Sequence, residues 1–121
     1  MNYKILVIDD SPFIYKAVKK SLEPCGYEIV GHAENGLIGL EMYDRLNPDI
    51  ITLDVTMPVM DGIETASNLF KINPDVNLIM LSAMGDEDLI NAAKNLGVRY
   101  FLSKPFKSNE LVDVVNSIMN N

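Results

Sequence analysis

Residues 49–62 read Asp49-Ile50-Ile51-Thr52-Leu53-Asp54-Val55-Thr56-Met57-Pro58-Val59-Met60-Asp61-Gly62. The segment joins a short apolar run, Ile50 to Leu53, to a carboxylate and then to the turn signals Pro58 and Asp61-Gly62, with Asn47-Pro48 bounding it before. An apolar run this short, closed by turn residues on both sides, predicts a buried strand of a parallel sheet. Asp54 then stands at the carboxyl end of that strand, the edge where open α/β sheets carry their chemistry. A second apolar run, Ile5-Leu6-Val7-Ile8, ends in Asp9-Asp10. Two strands that each deliver carboxylate to one edge make a site for a hard cation.

The same pattern recurs along the chain. Apolar runs near residues 3–9, 27–32, 49–54, 77–82 and 98–103 alternate with segments of helical period. Five strand–helix repeats at such intervals suit right-handed crossovers, so the expected class is α/β: a mostly parallel sheet covered by helices on both faces. The first helix is signalled by Ser11 as N-cap and Pro12 at the first helical position, with Ile14, Ala17, Val18, Ser21 and Leu22 on the buried stripe and Phe13 and Tyr15 off it. A second helix is expected from about Gly36 to Leu46, stopping before Asn47-Pro48, and a third from about Ile63 to Ile72, stopping before Asn73-Pro74. Asp86-Glu87-Asp88 reads as the acidic N-terminus of a fourth helix that Gly97 closes. The last helix begins near Ser108 and turns Leu111, Val112, Val115, Ile118 and Met119 toward the sheet.

Length and composition are those of one soluble domain spanning residues 1–121, with 48% apolar residues and no visible linker. No apolar stretch approaches the ~18 residues of a membrane span and no signal peptide is apparent, so the expected location is cytoplasmic and no membrane insertion is expected. The formal charge of −7 opposes a nucleic-acid footprint, and the one basic cluster, Lys16, Lys19 and Lys20, reads as a solvated helix face. Cys25 is the sole cysteine, which rules out a disulfide within the chain, and its Glu-Pro-Cys-Gly setting is that of a turn.

If the strands are parallel, Asp9 and Asp10, Asp54, Ser82 and Lys104 all arrive at one edge, from four different strand ends. Singly, Ser82 could begin a turn and Lys104 could be a surface lysine before Pro105; jointly, the four ends make coincidence a poor explanation. Three adjacent carboxylates repel and raise one another's pKa unless a cation compensates. An all-oxygen set with few protein donors suits Mg²⁺ better than Ca²⁺, while the single imidazole, His32, and the distant Cys25 argue against zinc or iron. His32 reads as a structural or exposed residue at the end of the second strand. A carboxylate beside Mg²⁺ and a lysine is arranged to attack a phosphoryl group, with Asp54 as nucleophile and Lys104 and Ser82 stabilising the phosphoryl oxygens.

Asp9-Asp10, the Asp54 to Gly62 segment, Ser82-Ala83 and Lys104-Pro105 together resemble the signature of the response-regulator receiver domain of two-component signalling. The resemblance spans the chain in the family's order, and Ser82-Ala-Met-Gly85 with Lys104-Pro-Phe106 is most similar to stand-alone chemotaxis receivers of the CheY type. It implies a flavodoxin-like (βα)5 fold, a doubly wound five-stranded parallel sheet in order 2-1-3-4-5, an order that comes with the family and not from periodicity. It further implies that Asp54 accepts phosphate from a phosphohistidine of a sensor histidine kinase or histidine phosphotransfer protein. Asp10, Asp54 and the Thr56 carbonyl would hold Mg²⁺, with Asp9 acting through water, and Lys104 would precede a cis proline peptide. Phe101 matches the family's switch aromatic, often tyrosine. Phosphorylation would draw Ser82 toward Asp54 and let Phe101 rotate inward, against the plainer reading of Phe101 as core. Arg99, Tyr100 and the exposed side of the last helix are then the candidates for contact with a downstream target protein.

Other readings are weaker. A phosphatase of the haloacid dehalogenase kind needs a second Asp two residues after its nucleophile, where Thr56 stands. A flavodoxin needs a hydroxyl- and glycine-rich phosphate loop, where Asp9-Asp10-Ser11-Pro12 would repel phosphate. The front end of a DNA-binding regulator remains an alternative, although the chain stops after the fifth helix and the expectation is a diffusible signal or a relay intermediate rather than an enzyme that turns over substrate.

Overall fold

Asparagine and proline stops, with glycine at the helix ends, cut the chain into five strand–helix pairs. The computed structural model describes residues 2–120; the expected domain bounds at Met1 and Asn121 lie outside the described residues. The strands are β1 (Lys4–Ile8), β2 (Glu28–Ala33), β3 (Ile50–Asp54), β4 (Leu78–Ser82) and β5 (Tyr100–Ser103). They are followed in turn by α1 (Pro12–Leu22), α2 (Gly36–Leu46), α3 (Gly62–Ile72), α4 (Glu87–Leu96) and α5 (Ser108–Met119). All pairings are parallel and the order is β2-β1-β3-β4-β5, which places β3 at the centre. The helix boundaries fall within a residue or so of those expected, and the turn expected at Glu-Pro-Cys-Gly is a 3₁₀ turn, Glu23–Cys25, that leads α1 into β2.

Every residue of β3 and β4 is buried, as a sheet covered on both faces requires. Side-chain alternation sorts the core into two layers. Leu6, Ile8, Ile51, Leu53 and Met80 pack with Ala66, Leu69 and Ala93 on the α2–α4 side. Ile5, Val7, Ile50, Ile79 and Leu81 pack with Val18, Leu22, Leu111 and Val115 on the α1 and α5 side. Burial of each Val, Leu, Ile or Met side chain among them contributes about 1.5–3 kcal/mol.

The caps are local and explicit. Side chains of Ser11, Asn35 and Asp61 accept from the backbone N–H groups of Ile14, Ile38 and Glu64 at 3.4, 2.9 and 2.9 Å, and Gly97 ends α4 at φ 113°. Asp86, Glu87 and Asp88 form the acidic start of α4 as expected, but the Asp86 carboxylate departs from a capping role and turns back to accept the Ala83 N–H at 2.7 Å, bracing the β4–α4 loop. Tyr15 departs too. It lies half-buried because the edge strand β2 supplies a flat partner, the His32 ring, that helical periodicity does not register.

Pairing of β1 with β2 contains one irregularity. The register runs Ile5 with Ile29 and then Leu6 with Gly31, so Val30 is an extra residue. The bulge shifts the rest of β2 by one place, and a one-residue shift exchanges the faces of a strand.

Candidate functional site

Parallel strands bring the ends of β1, β3, β4 and β5 to one edge, and there the expected residues meet. Carboxylate oxygens of Asp9, Asp10 and Asp54 all lie within 4.8 Å of one another. Asp9 and Asp54 are buried and Asp10 is exposed, so the group opens to solvent on one side. The Lys104 ammonium, carried by the turn after β5, sits 3.1 Å from Asp54 Oδ1 and 3.2 Å from Asp9 Oδ2. Its placement depends on the end of β4, since the Lys104 N–H donates to the Ser82 carbonyl at 2.7 Å. The Lys104–Pro105 peptide is cis.

Local turns aim the other groups. The Ser11 N–H donates to Asp9 Oδ1 at 2.9 Å, and the Thr56 N–H donates to Asp54 Oδ1 at 3.4 Å. After Asp54 the chain makes a three-residue turn in which the Met60 N–H reaches the Pro58 carbonyl at 2.7 Å, with Val59 at its centre in the left-handed region, φ 69°. It then returns through Gly62, whose N–H donates to the Val55 carbonyl at 3.0 Å. A Cβ on Gly62 would fall against the Asp54 carbonyl and 2.6 Å from Val55 Cα, so only glycine lets α3 start this close to the end of β3.

Electrostatics follow from the burial. The Asp54 carboxyl is pushed up from 3.8 to about 6, first by loss of hydration and then by the charge of Asp9; Lys104 and the Thr56 N–H pull the other way without prevailing. For Lys104, burial favours the neutral amine, but the charges of Asp9 and Asp54 outweigh it and raise the pKa. With all four groups ionised, three carboxylates and one ammonium leave two negative charges. A divalent cation with hard oxygen preference matches that remainder, and the donor set fits Mg²⁺.

Ser82 is buried at the end of β4, beside β3. Thr56 is exposed in the loop after Asp54. Phe101, in β5, is half-buried against the α2–α4 layer, with the Lys94 ammonium 5.7 Å from its ring centre. Arg99 and Tyr100 lie away from the carboxylates, at the start of β5, where the Arg99 guanidinium rests 5.6 Å from the Tyr100 ring centre and both line a cavity of about 240 Å³. Sequence reading did not place His32 near the site, yet its Nε2 is 2.8 Å from the Asp9 carbonyl oxygen. The bulge that puts it there leaves no mark in apolar periodicity.

Comparison with known proteins agrees with this geometry. Residues 5–116 match the family model of the response regulator receiver domain. The chain is 36% identical over 118 residues to the chemotaxis protein CheY of Thermotoga maritima, covering 98% of each. It is 34% identical over 119 residues to the sporulation initiation phosphotransferase F of Bacillus subtilis, covering 98% of this chain and 95% of that one. Among solved structures, the complex described as CheX-CheY-BeF3-Mg+2 from Borrelia burgdorferi matches with TM-score 0.89 and 33% identity, over 97% of this chain and 89% of that chain. Neither the phosphatase nor the flavodoxin reading gains support from these matches. With the carboxylate cluster, the lysine and the strand order all where the resemblance put them, the chain belongs to the response regulator receiver domain family, phosphoacceptors of two-component signalling, and is similar within it to chemotaxis receivers.

Proposed function

We propose that this receiver takes a phosphoryl group onto Asp54 from the phosphohistidine of a sensor kinase or phosphotransfer protein, with Mg²⁺ held by Asp10, Asp54 and the Thr56 carbonyl and with Asp9 beside it. The observation that carries this reading is the Lys104 ammonium bridging Asp54 and Asp9 at a buried strand end. Lys104 and the Thr56 N–H both engage Oδ1 of Asp54, which leaves Oδ2 to attack. An Asp54 oxygen forms a bond to phosphorus, the phosphorus–nitrogen bond breaks, and its electron pair returns to the imidazole, leaving a mixed anhydride on Asp54. Mg²⁺, when bound, supplies charge that offsets the phosphoryl oxygens. Lys104 is within reach of the same oxygens, and the Ser82 hydroxyl donates to one of them. The protein assists its own phosphorylation and the later hydrolysis; it is a signalling component and not a turnover enzyme.

Partner binding fits the surface around the site. Phe13, Val59 and Met84 stand 79%, 76% and 97% exposed on the loops and helix start that ring the carboxylates, apolar area that a docking donor would cover. At the opposite end of β5, away from the carboxylates, Arg99 and Tyr100 are offered to a downstream target, in chemotaxis by similarity to the CheY relatives. Among the described residues no helix is long and apolar enough to cross a membrane, and we place the protein's work in the cytoplasm. Incubation with acetyl phosphate tests the reading: the intact mass should gain one phosphoryl group with Mg²⁺ present and none after chelation. Uptake that is indifferent to the metal would contradict it.

A further inference from the structure

Asp9 and Asp10 share a peptide plane, and the carbonyl of Asp9 lies in it. Whatever fixes the direction of that carbonyl therefore fixes ψ of Asp9 and the peptide plane from which Asp10 sets off, and with them constrains the relative placement of the two carboxylates. The β1–β2 ladder ends at Ile8 and Ala33. Beyond it the Asp9 N–H still donates to the Ala33 carbonyl at 2.9 Å, but the chain then turns away into the cap of α2 at Asn35, so the backbone of β2 no longer serves the Asp9 carbonyl. The ring of His32 does, at 2.8 Å. A carbonyl only accepts, so Nε2 carries the hydrogen.

Two features show that the ring is built into this position. The extra residue Val30 pairs His32 with Val7 instead of Ile8, and Val7 belongs to the α1 side of the core. Without the bulge, His32 would pair with Ile8 and face α2. On the α1 side the imidazole lies flat on Tyr15, with ring centres 4.4 Å apart and planes 5° from parallel. Tyr15 thus fixes the ring plane, the bulge fixes its face, and the Nε2–H lands on the one carbonyl between the two acidic residues. We propose that His32 is a positioning residue for the Asp9–Asp10 pair: its hydrogen bond holds the peptide between them so that both carboxylates converge with Asp54. The proposal rests on the Mg²⁺ reading of the cluster only for its consequence, the metal affinity.

Two substitutions separate positioning from packing. His32→Gln keeps an N–H at nearly the same reach and loses the flat stack on Tyr15; His32→Phe keeps the stack and loses the donor. In the metal-free protein the amide of Ser11, which donates to Asp9 Oδ1, and the amide of Asp10 report the pair directly by NMR. Both signals should move in His32→Phe and stay near wild type in His32→Gln. In a Mg²⁺ titration followed by the same amides, His32→Phe should bind about 10-fold more weakly and His32→Gln within about 2-fold of wild type. If His32→Phe does not fold, His32→Leu takes its place as the donor-free variant. Unmoved Ser11 and Asp10 amides in the donor-free variant, or equal effects of the donor-free and Gln variants, would overturn the proposal. A wild type that takes no Mg²⁺ would instead overturn the metal reading, and the metal-free comparison would still decide the role of His32.

Discussion

Asp54 is held in a setting that penalises its own charge. Its carboxyl titrates near 6 in the fold against an ordinary 3.8, so between those values the folded state holds more proton than the unfolded one and stability falls as pH rises. Above about pH 6 the ionised carboxylate carries a penalty of roughly 3 kcal/mol. Asp54→Asn should therefore stabilise the metal-free protein near neutral pH by about 2–3 kcal/mol and change little near pH 4. Urea unfolding at the two pH values reads this, and equal effects at both would contradict it. Added Mg²⁺ should stabilise wild type and leave the variant almost unchanged. Val59 carries a second local strain, a β-branched residue at φ 69° with its side chain in solvent. Asparagine tolerates that region, so Val59→Asn should gain about 1 kcal/mol in the same assay; a loss of stability would mean that the turn is not strained.

Elements were legible wherever one physical signal dominated. Asn47-Pro48 and Asn73-Pro74 ended two helices because the residue before proline resists the helical region, and Ser11-Pro12 opened another. Charged groups at strand ends were legible for the same reason: a parallel strand has one open edge, and the carboxylates of Asp9, Asp10 and Asp54 and the ammonium of Lys104 all reach it. What could not be read was set by contacts between elements. The extra residue at Val30, the stack of Tyr15 on His32 and the turn-back of Asp86 onto Ala83 each depend on a neighbour that local periodicity does not encode. Gly62 shows how tightly such contacts bind site to scaffold. A methyl group there would meet the backbone of Asp54 and Val55, so Gly62→Ala should cost about 2–4 kcal/mol and also shift the amide of Thr56, which donates to Asp54. A stability loss with that amide unmoved would show that α3 yields instead of the strand.

Across the whole molecule, the site touches the far helices through two strand ends. Ser82 leads into the loop before α4, and its carbonyl holds the Lys104 N–H; Phe101, on the neighbouring strand, packs toward α4 under Lys94. A phosphoryl group that draws in the Ser82 hydroxyl would pull on that loop and free Phe101 to move. With a beryllofluoride mimic bound, amide shifts should extend to Phe101 and α4 in wild type and shrink in Ser82→Ala. Shifts confined to the carboxylate pocket in wild type would instead favour partners that read the pocket itself. All of this depends on phosphate residing on one carboxylate among several. The most direct measurement is to phosphorylate the protein in Mg²⁺, reduce the acyl phosphate with borohydride and map the modified residue by peptide mass spectrometry. The expected result is a single modified position, Asp54, absent from Asp54→Asn; modification at Asp9 or Asp10, or undiminished labelling of the Asn variant, would contradict the account.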